Sequence, residues 1–554
     1  MTSSRKSETK YLSDELSNRE TSDSSSICTD DTEFIDEINE PVLPNDIFVW
    51  NDMGTYNSHR EIFDEDDGPQ NEAKEKTEPI DIFELFFPIE FVETIVEQTN
   101  LYAQQKRASL GMVFPLRSRM NEWKNVTAEE IYVVFGFYML MGIIQKPTIR
   151  SYFSKKDIIG TPIFNKIMTL DRFELITNFL HFVGNDTINA FEGPKKLFKI
   201  YPIIKHLNNV FQKYYLLGRN ISVDESLTLW KGILSFKQFI PLKSAQFGIK
   251  TYELCESTTG YLWKFIVYTG KDCEFTSPLI TQNMMKTCKI VLQLVEPLLH
   301  NGHTLWMDNF YNSVELAKQL KTWGTDCVGT LRLNRKNTPP IIKKTKLQKG
   351  EIIAKHCEAI TILKWMDKKP VTMISTHHGQ ETGCIIKRNR EVSKPVSVID
   401  YNKNMGGVDL KDQMLEGYLL ERKKMHKWYI KLFRKLLNVS ILNSFIIYKR
   451  NKQQKVDHLK FRVQLVEQIF AKYVNEVQRK VPCRHSQDKN VSRLTDRHFI
   501  EKIPPTQQKA KPQKRCVVCY KRGRRKETIY WCPDCEAGLC LESCFKIYHT
   551  LENY

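Results

Sequence analysis

Residues 221–230 (ISVDESLTLW), 247–257 (FGIKTYELCES) and 261–270 (YLWKFIVYTG) contain the pattern that decides the fold of this chain. β-Branched and aromatic residues recur in each segment, as is typical of strands. Residues 258–260 (TTG) supply a turn between the last two segments. The three segments therefore predict an antiparallel meander.

Downstream of the meander, helix and strand patterns alternate. A helical stretch at 284–299 is followed by a short strand at 303–307, a helix at about 313–323 and a strand near 328–331. This alternation favours a layered α/β core over a barrel or a helical bundle.

Helical patterns lie on both sides of this core. Thr127 and Glu130 have the spacing of a capping box directly before the apolar run 131–145. The run has 15 residues, whereas a membrane span needs roughly 20, so it predicts a buried helix. Helical spacing returns from about 404 to 450, while residues 337–396 are Lys-rich with short β-like runs and predict an inserted β segment.

The net charge of +17 hides a division between an acidic N-terminal end and a basic remainder. Residues 1–78 hold 21 acidic and 7 basic side chains without sustained periodicity, which predicts a disordered tail. Residues 79–554 carry a net charge of +31. Such a field attracts polyanions: nucleic acid is the usual partner of a protein of this size and sign, and an acidic membrane surface is the alternative.

Candidate zinc ligands crowd the C-terminal end of the chain. They are Cys516, Cys519, Cys532, Cys535, Cys540, Cys544 and His549. No charged-then-apolar leader opens the sequence, so reduced thiols are expected, and their crowding indicates metal rather than disulfides. Paired Cys-x-x-Cys knuckles supply four thiolates for one tetrahedral zinc ion, with unligated thiols as the alternative.

Three acidic motifs are candidates for catalysis. Asp224 lies within the first strand of the meander. Asp308 directly follows the strand at 303–307, and ligand sites gather at strand ends in open α/β sheets. Asp409 and Asp412 follow two glycines and are three residues apart, which puts both on one face of a helix.

Taken singly, each motif has an ordinary interpretation. Asp224 or Asp308 is then a solvated turn residue, Asn312 or Ser313 a helix cap, and Asp409 part of a helix that begins at a glycine. Together the carboxylates are more specific, because hard Mg²⁺ or Mn²⁺ prefers carboxylate oxygens and two such ions can activate water or a 3′-hydroxyl. No Ser, His or Cys nucleophile motif competes, and the sequence lacks a Gly-rich phosphate loop that ends in Lys-Ser/Thr.

These motifs resemble those of the piggyBac family of DNA transposases. Val223-Asp224-Glu225, Met307-Asp308-Asn309 with Tyr311-Asn312-Ser313, and the block 405–414 (MGGVDLKDQM) follow in the family's order. The similarity runs from about residue 80 to the C-terminus, and the last block is its most specific part. The resemblance implies a DDD-type transposase in which Asp224, Asp308 and Asp409 hold Mg²⁺ or Mn²⁺, with Asp412 as a nearby fourth carboxylate.

The resemblance also implies a multidomain α+β fold. A ribonuclease H-like α/β catalytic core would be interrupted by a β insertion, flanked by helical DNA-binding and dimerisation segments, and followed by a zinc-binding Cys-rich domain. The predicted ranges are a disordered acidic tail at 1–78, helical segments at 79–218 and 419–502, the core at 219–336 and 397–418, the insertion at 337–396, a linker at 503–514 and the zinc finger at 515–554. Family fingers are often of the cross-brace type with two zinc ions, which need eight ligands where the sequence offers seven.

Candidate DNA contacts lie in two basic segments. The resemblance places a tryptophan next to the DNA at Trp428, beside Lys424 and Lys427, where stacking on a base and burial in a helix are both compatible with the sequence. A loop between the Cys-x-x-Cys pairs contributes Arg522, Arg524 and Arg525. This loop suits phosphate contacts, nuclear import or plain solvation, and by resemblance the finger reads the transposon's terminal DNA.

The sequence thus predicts a nuclear cut-and-paste transposase that acts as a homodimer on double-stranded DNA and has no membrane partner. By resemblance it would excise its element through a hairpin on the transposon end and integrate at TTAA. Two other functions fit the same residues: a domesticated relative that binds DNA or chromatin without cleavage, and a metal-dependent nuclease without strand transfer.

Overall fold

The computed structural model describes residues 48–551 except 110–117, 242–245, 272, 388–389, 480–496 and 507–508. Two compact units divide the chain after Val477. Residues 1–47 of the predicted acidic tail lie outside the described residues. In the part of the chain that is described, no helix is both long and apolar enough to cross a membrane.

The first unit opens with the short strand β1 (Gly68–Pro69) and a series of helices. The helices are α1 (Pro79–Phe86), α2 (Ile89–Ser109), α3 (Ala128–Ile143), α4 (Ile149–Tyr152), α5 (Pro162–Ile167), α6 (Leu170–Phe179) and α7 (Tyr201–Tyr214). Thr127 and Glu130 form the predicted capping box, which satisfies backbone N–H groups at the start of α3. Most side chains of α3 are buried, so the prediction of a buried helix is confirmed.

A mixed sheet forms the centre of the first unit. Its first part comprises β3 (Asn220–Leu229), β4 (Gln238–Phe239), β5 (Phe247–Glu256), β6 (Leu262–Val267), β7 (Thr304–Met307) and β8 (Asp326–Thr330), while β2 (Tyr215–Leu216) pairs with β1. The helices α8 (Lys286–Val295) and α9 (Val314–Thr322) connect and cover these strands.

The strand order is that of a ribonuclease H-like core, as predicted. β3, β5 and β6 form the antiparallel meander, and β7 and β8 continue the sheet in parallel on the other side of β3. The order is therefore β6-β5-β3-β7-β8. The β-branched and aromatic residues of the meander suit this position, in which every residue of β5 after Phe247 is buried.

The predicted β insertion is rich in strands, but part of it belongs to the central sheet. It contains α10 (Pro340–Lys344), β9 (Ile352–Cys357), β10 (Ile360–Met366), β11 (Pro370–Ser375), β12 (Thr382–Lys387) and β13 (Arg390–Pro395). β11 pairs with β8, so β11, β10 and β9 extend the sheet in antiparallel order. This pairing covers the open edge that β8 would otherwise present, while β12 and β13 form a separate hairpin.

Four helices complete the first unit where one continuous helical region was predicted. They are α11 (Val396–Asn404), α12 (Gly407–Glu416), α13 (Trp428–Lys452) and α14 (His458–Arg479). α13 is buried along nearly its whole length and packs against α1. The helical segments on either side of the sheet therefore share one core.

The prediction of a disordered tail is wrong for residues 48–78, part of which packs on the sheet. Arg60 donates hydrogen bonds to Thr304 Oγ1 at 2.9 Å and Asn220 Oδ1 at 2.8 Å. The N–H of Glu61 donates to Asp326 Oδ2 at 2.7 Å. The three acceptors are the first residues of β7, β3 and β8, so this segment holds the starts of the three parallel strands. Its acidic composition predicts disorder, but its backbone and side chains find partners at the sheet.

The second unit is a small Cys-rich domain. Its elements are β14 (Glu501–Lys502), β15 (Lys514–Arg515), α15 (Val517–Lys521), β16 (Glu527–Thr528), β17 (Tyr530–Cys532), β18 (Ala537–Gly538) and α16 (Cys544–Thr550). β14 pairs with β17, and β15 pairs with β16. The domain therefore begins before residue 503, and the segment 503–514 is part of it rather than the predicted linker.

Candidate functional site

Asp224 lies on β3, and Asp308 directly follows the end of the parallel strand β7. The register of β3 and β7 aligns Val223 with Met307, and each aspartate is the next residue in sequence. Parallel neighbours are about 4.8 Å apart, and residues in one register point to the same face. The first two predicted site residues are thus brought together where β7 ends.

The residues after Asp308 fix this strand end. Asn312 Nδ2 donates hydrogen bonds to the backbone oxygens of Met307 at 2.9 Å, Asp308 at 3.1 Å and Thr330 at 3.0 Å, which ties the end of β7 to the end of β8. Ser313 caps α9, because its hydroxyl accepts a hydrogen bond from the N–H of Leu316. The helix-cap interpretation therefore holds for Ser313, whereas Asn312 joins two strands.

The third motif lies on α12, which packs closely on β3. A Cβ atom at Gly407 would come within 2.4 Å of Ser222 Oγ and 2.8 Å of the backbone oxygen of Glu256, so only glycine fits between helix and sheet. A Cβ atom at Gly406 would meet nothing within 4 Å. Asp409 lies in the first turn of α12 and is exposed. Gly407 thus sets the distance between the helix that carries Asp409 and the sheet.

Tyr401 on α11 connects the three aspartates. The pKa of Tyr401 is raised to about 12, mainly by burial; a hydrogen bond with Thr330 opposes the shift, and the charges of Asp308, Asp224 and Asp409 contribute to it. All three carboxylates therefore lie within electrostatic reach of one phenol. The three carboxylates do not form a closed cluster. Among the described residues, two groups have three or more metal-ligating atoms within 4.8 Å of one another, and both consist of Cys and His.

The electrostatics of Asp308 suit a cation. Burial is the main cause that raises the pKa of Asp308, and the charge of Glu225 raises it further, while a hydrogen bond from the N–H of Phe310 opposes the shift. Tyr311 donates a hydrogen bond to Glu225 at 3.3 Å and so links the first two motifs. Half-buried carboxylates that repel one another fit a hard divalent cation, which would relieve both the burial cost and the repulsion.

Below these carboxylates lies a buried ion-pair network that the sequence did not reveal. Lys411, fully buried on α12, is ion-paired with Glu253 on β5 and lies 3.0 Å from Asp412. Asp412 also accepts hydrogen bonds from Ser226 at 2.8 Å and Lys435 at 3.0 Å. The neighbouring ammonium groups lower the pKa of Asp412 although burial opposes this. Asp412 is therefore engaged by protein groups on several sides.

Two groups of four ligands lie in the Cys-rich domain. Cys516, Cys519, Cys540 and Cys544 form one group, and His498, Cys532, Cys535 and His549 form the other. The sulfur atom of Cys519 lies 3.9 Å from that of Cys540 and 3.6 Å from that of Cys544. Thiolates on a tetrahedral zinc ion, with Zn–S bonds of about 2.3 Å, are about 3.8 Å apart, so the geometry fits zinc.

His498 is the eighth ligand, which the spacing of the cysteines did not predict. Its Nδ1 atom lies 3.5 Å from the sulfur of Cys532 and 3.7 Å from that of Cys535. A lone histidine on the far side of residues 503–514 carries no spacing signal. The two Cys-x-x-Cys pairs belong to different groups, so the expectation that they share one zinc ion is wrong, and the interleaved order is that of a cross-brace.

A hydrogen bond next to the second group orients one of its ligands. His549 Nδ1 lies 2.9 Å from the backbone oxygen of Phe545. A proton on Nδ1 leaves Nε2 free to bind metal, and Nε2 is 3.6 Å from the sulfur of Cys535. The histidine is thus held in the tautomer that a zinc ligand needs.

The predicted DNA contacts differ in exposure. Lys424 is exposed, and so are Arg522, Arg524 and Arg525 of the finger loop. Trp428 is half-buried, with its ring edge-to-face against Phe236 at 5.3 Å. Lys427 is also half-buried and donates a hydrogen bond to the backbone oxygen of Asn178.

A ribonuclease H-like strand order with helices on both sides of the sheet in sequence is the fold class of a transposase. Comparison with known families agrees: the family described as Transposase IS4 matches residues 78–445, and the one described as DDE_Tnp_1-like zinc finger matches residues 495–550. The chain belongs to the piggyBac family of transposases.

Known relatives and a solved structure show the same likeness. Human PiggyBac transposable element-derived protein 3 is 27% identical over 506 residues, which cover 85% of this chain and 76% of that protein. Human PiggyBac transposable element-derived protein 2 is 28% identical over 401 residues, covering 69% and 64%. The cryo-EM structure of the piggyBac transposase synaptic complex with hairpin DNA has a TM-score of 0.67 at 23% identity and covers 87% of this chain and 100% of that one, which shows a shared fold.

Proposed function

We propose that this protein is a cut-and-paste DNA transposase that cleaves transposon ends and joins them to target DNA. The observation that supports this best is the placement of Asp224 on β3, of Asp308 directly after the parallel strand β7, and of Asp409 on α12, which packs on β3. Metal-dependent phosphodiester chemistry needs such carboxylates on rigid elements.

Asp224, Asp308 and Asp409 would hold two Mg²⁺ or Mn²⁺ ions. The ions would supply Lewis-acid stabilisation of the attacking and leaving oxygens. The protein's own contribution is positioning: Asn312 keeps the end of β7 in place, and Gly407 lets α12 approach the sheet. Asp412, which is paired with lysines, would hold α12 rather than bind metal.

The remaining features of the proposal follow from the protein's relationships. The basic charge, the exposed finger loop and a fold neighbour bound to DNA support double-stranded DNA as partner, with the finger holding two zinc ions. Trp428, Lys424, Lys427 and the loop arginines are the proposed DNA contacts. Family membership further suggests a nuclear homodimer, a hairpin intermediate and TTAA targets.

A second function has its own support. The human relatives are named as derived from a transposable element, so this chain could be a domesticated protein that binds DNA or chromatin without cutting. Its aspartates would then be retained while mobility is lost.

Cleavage of a DNA strand distinguishes the active transposase from the domesticated DNA-binding protein. Purified full-length protein with Mg²⁺ should nick DNA that carries the terminal sequences flanking its own coding region and join the cut ends to a TTAA-containing target. Asp308→Ala should lower the cleavage rate by about 10³-fold or more, since each metal site supplies several kcal/mol of transition-state stabilisation, yet still bind this DNA.

Asp367→Ala is the matched control. It removes the same charge from an exposed position in the turn between β10 and β11. Binding without nicking by folded wild-type protein would overturn the enzymatic proposal and favour the domesticated alternative. Nicking without joining would indicate a nuclease instead.

A further inference from the structure

Three lysines from separate parts of the first unit meet around two tyrosines. Lys106 on α2 lies 5.9 Å from the ring centre of Tyr102, and Lys427, just before α13, lies 5.1 Å from the same ring. Lys427 is also 5.9 Å, and Lys199 5.7 Å, from the ring centre of Tyr429. We call Lys106, Lys199 and Lys427 the lysine cluster.

The cluster is buried enough for its charges to repel. All three lysines are half-buried. Burial, together with the charges of Lys199 and Lys106, lowers the pKa of Lys427 to about 8, and no acidic group opposes this shift. Among the ion pairs of the described residues, none joins a cluster lysine to a carboxylate.

The ring arrangement keeps the lysines close together. His181 stacks on Tyr102 with 4.2 Å between ring centres, and its Nδ1 atom is 3.2 Å from the hydroxyl of Tyr429. Burial keeps His181 neutral at physiological pH, since its pKa is lowered to about 4. The rings therefore form a rigid neutral base to which three cations are attached through cation–π contacts.

Such an arrangement costs the free protein stability and suits an anion. A surface lysine normally extends into water, whereas these three converge from distant parts of the sequence without a counter-charge. The hydrogen bond from Lys427 to the backbone oxygen of Asn178 accounts for one ammonium proton of one lysine. A phosphate group is an anion whose oxygens can accept charge-assisted hydrogen bonds from several ammonium groups.

We propose that the lysine cluster binds a backbone phosphate of DNA. The inference rests on the proposed function, because DNA is the polyanion that the basic charge of residues 79–554 and the neighbouring exposed Lys424 favour. The cluster would fix the position of the duplex along the helical part of the first unit without reading its sequence, as phosphate contacts do.

Full-length Lys106→Gln and Lys199→Gln proteins test this. Affinity for a short fluorescent duplex that carries the element's terminal sequence is measured over a range of salt concentrations. Each substitution should weaken binding about 3- to 10-fold and reduce the slope of log K against log salt by about one. The melting temperature of each free variant is measured beside the affinity, so that a loss of binding through unfolding is recognised.

Lys368→Gln, in the exposed turn between β10 and β11, is the control for the change in overall charge and should keep the wild-type slope and melting temperature. Cluster variants that bind DNA with wild-type affinity and slope would overturn the proposal. If inorganic phosphate stabilises the wild type but not the variants, and DNA binding is unchanged, the site binds free phosphate instead. Failure of the wild type to bind DNA at all would overturn the proposed function itself.

Discussion

Lys411 on α12 is ion-paired with Glu253 on β5, and both side chains are almost completely buried. The pair links the helix that carries Asp409 to the strand next to the one that carries Asp224. The low dielectric of the interior makes this attraction strong, but each charge is costly once its partner is gone. The pair therefore fixes α12 in one position relative to the sheet.

Removing one partner of this pair should destabilise the first unit strongly. Lys411→Met leaves the carboxylate of Glu253 buried without its cation, which should lower the free energy of unfolding by about 3–5 kcal/mol. The double variant Lys411→Met/Glu253→Leu should recover most of that loss, because no unpaired charge remains. Denaturant unfolding of the three proteins measures this. A double variant no more stable than Lys411→Met would show that the ion pair is not the cause.

The two adjacent glycines of the third motif should respond differently to alanine. Gly407→Ala puts a Cβ atom 2.4 Å from Ser222 Oγ and should displace α12, at a cost of about 1–3 kcal/mol. DNA cleavage should fall about 10²-fold, because a small displacement of Asp409 is enough, while DNA binding is retained. Gly406→Ala, where nothing lies within 4 Å, should match the wild type in both assays. Equal effects of the two substitutions would contradict the packing argument.

Local patterns made much of this architecture predictable. The β-branched and aromatic residues of 221–230 and 247–257 predicted β3 and β5, and the Thr127 capping box predicted the start of α3. Asp308 directly follows a strand, as predicted. These signals are carried by residues close together in sequence, where periodicity and capping act.

Features that depend on distant contacts escaped prediction. The segment around Arg60 is ordered by partners such as Asn220 and Thr304, about 160 and 244 positions away. His498 has no sequence spacing that marks it as a ligand, and Tyr401 lies on a helix whose position next to the aspartates follows from the extended sheet. Composition alone could not reveal these pairings, because tertiary contacts override local preference.

Loss of His498 should remove one zinc ion from the Cys-rich domain. His498→Ala leaves Cys532, Cys535 and His549 with three ligands, so the zinc content should fall from about two ions per chain to about one. His498→Cys should restore the second ion, because a thiolate can replace an imidazole. Elemental analysis of purified protein measures both. Cys384→Ser, an exposed cysteine outside both groups, should keep two, and retention of two ions by His498→Ala would contradict the assignment.

The lysine cluster should make the free energy of unfolding depend on pH, and Lys427→Met should abolish this dependence. The pKa of Lys427 is lowered to about 8 in the folded protein, against about 10.4 for an unfolded lysine. At pH values between these two, the folded state binds fewer protons than the unfolded state, so the free energy of unfolding should rise by up to about 1.4 kcal/mol per pH unit. Below about pH 8 the cost of the buried charge is fully present.

Lys427→Met has no such proton to lose, so it should be more stable than the wild type at neutral pH, with the difference shrinking as the pH approaches about 10. The other titratable groups that face Lys427 should not produce this pH dependence. His181 is already neutral, and burial raises the pKa of Tyr102 and of Tyr429 above its usual value. Denaturant unfolding of both proteins at constant ionic strength measures the difference, in which the other titrating groups cancel. A difference that stays constant from pH 7 to about 10, or that grows, would show that Lys427 carries no excess cost in the folded state.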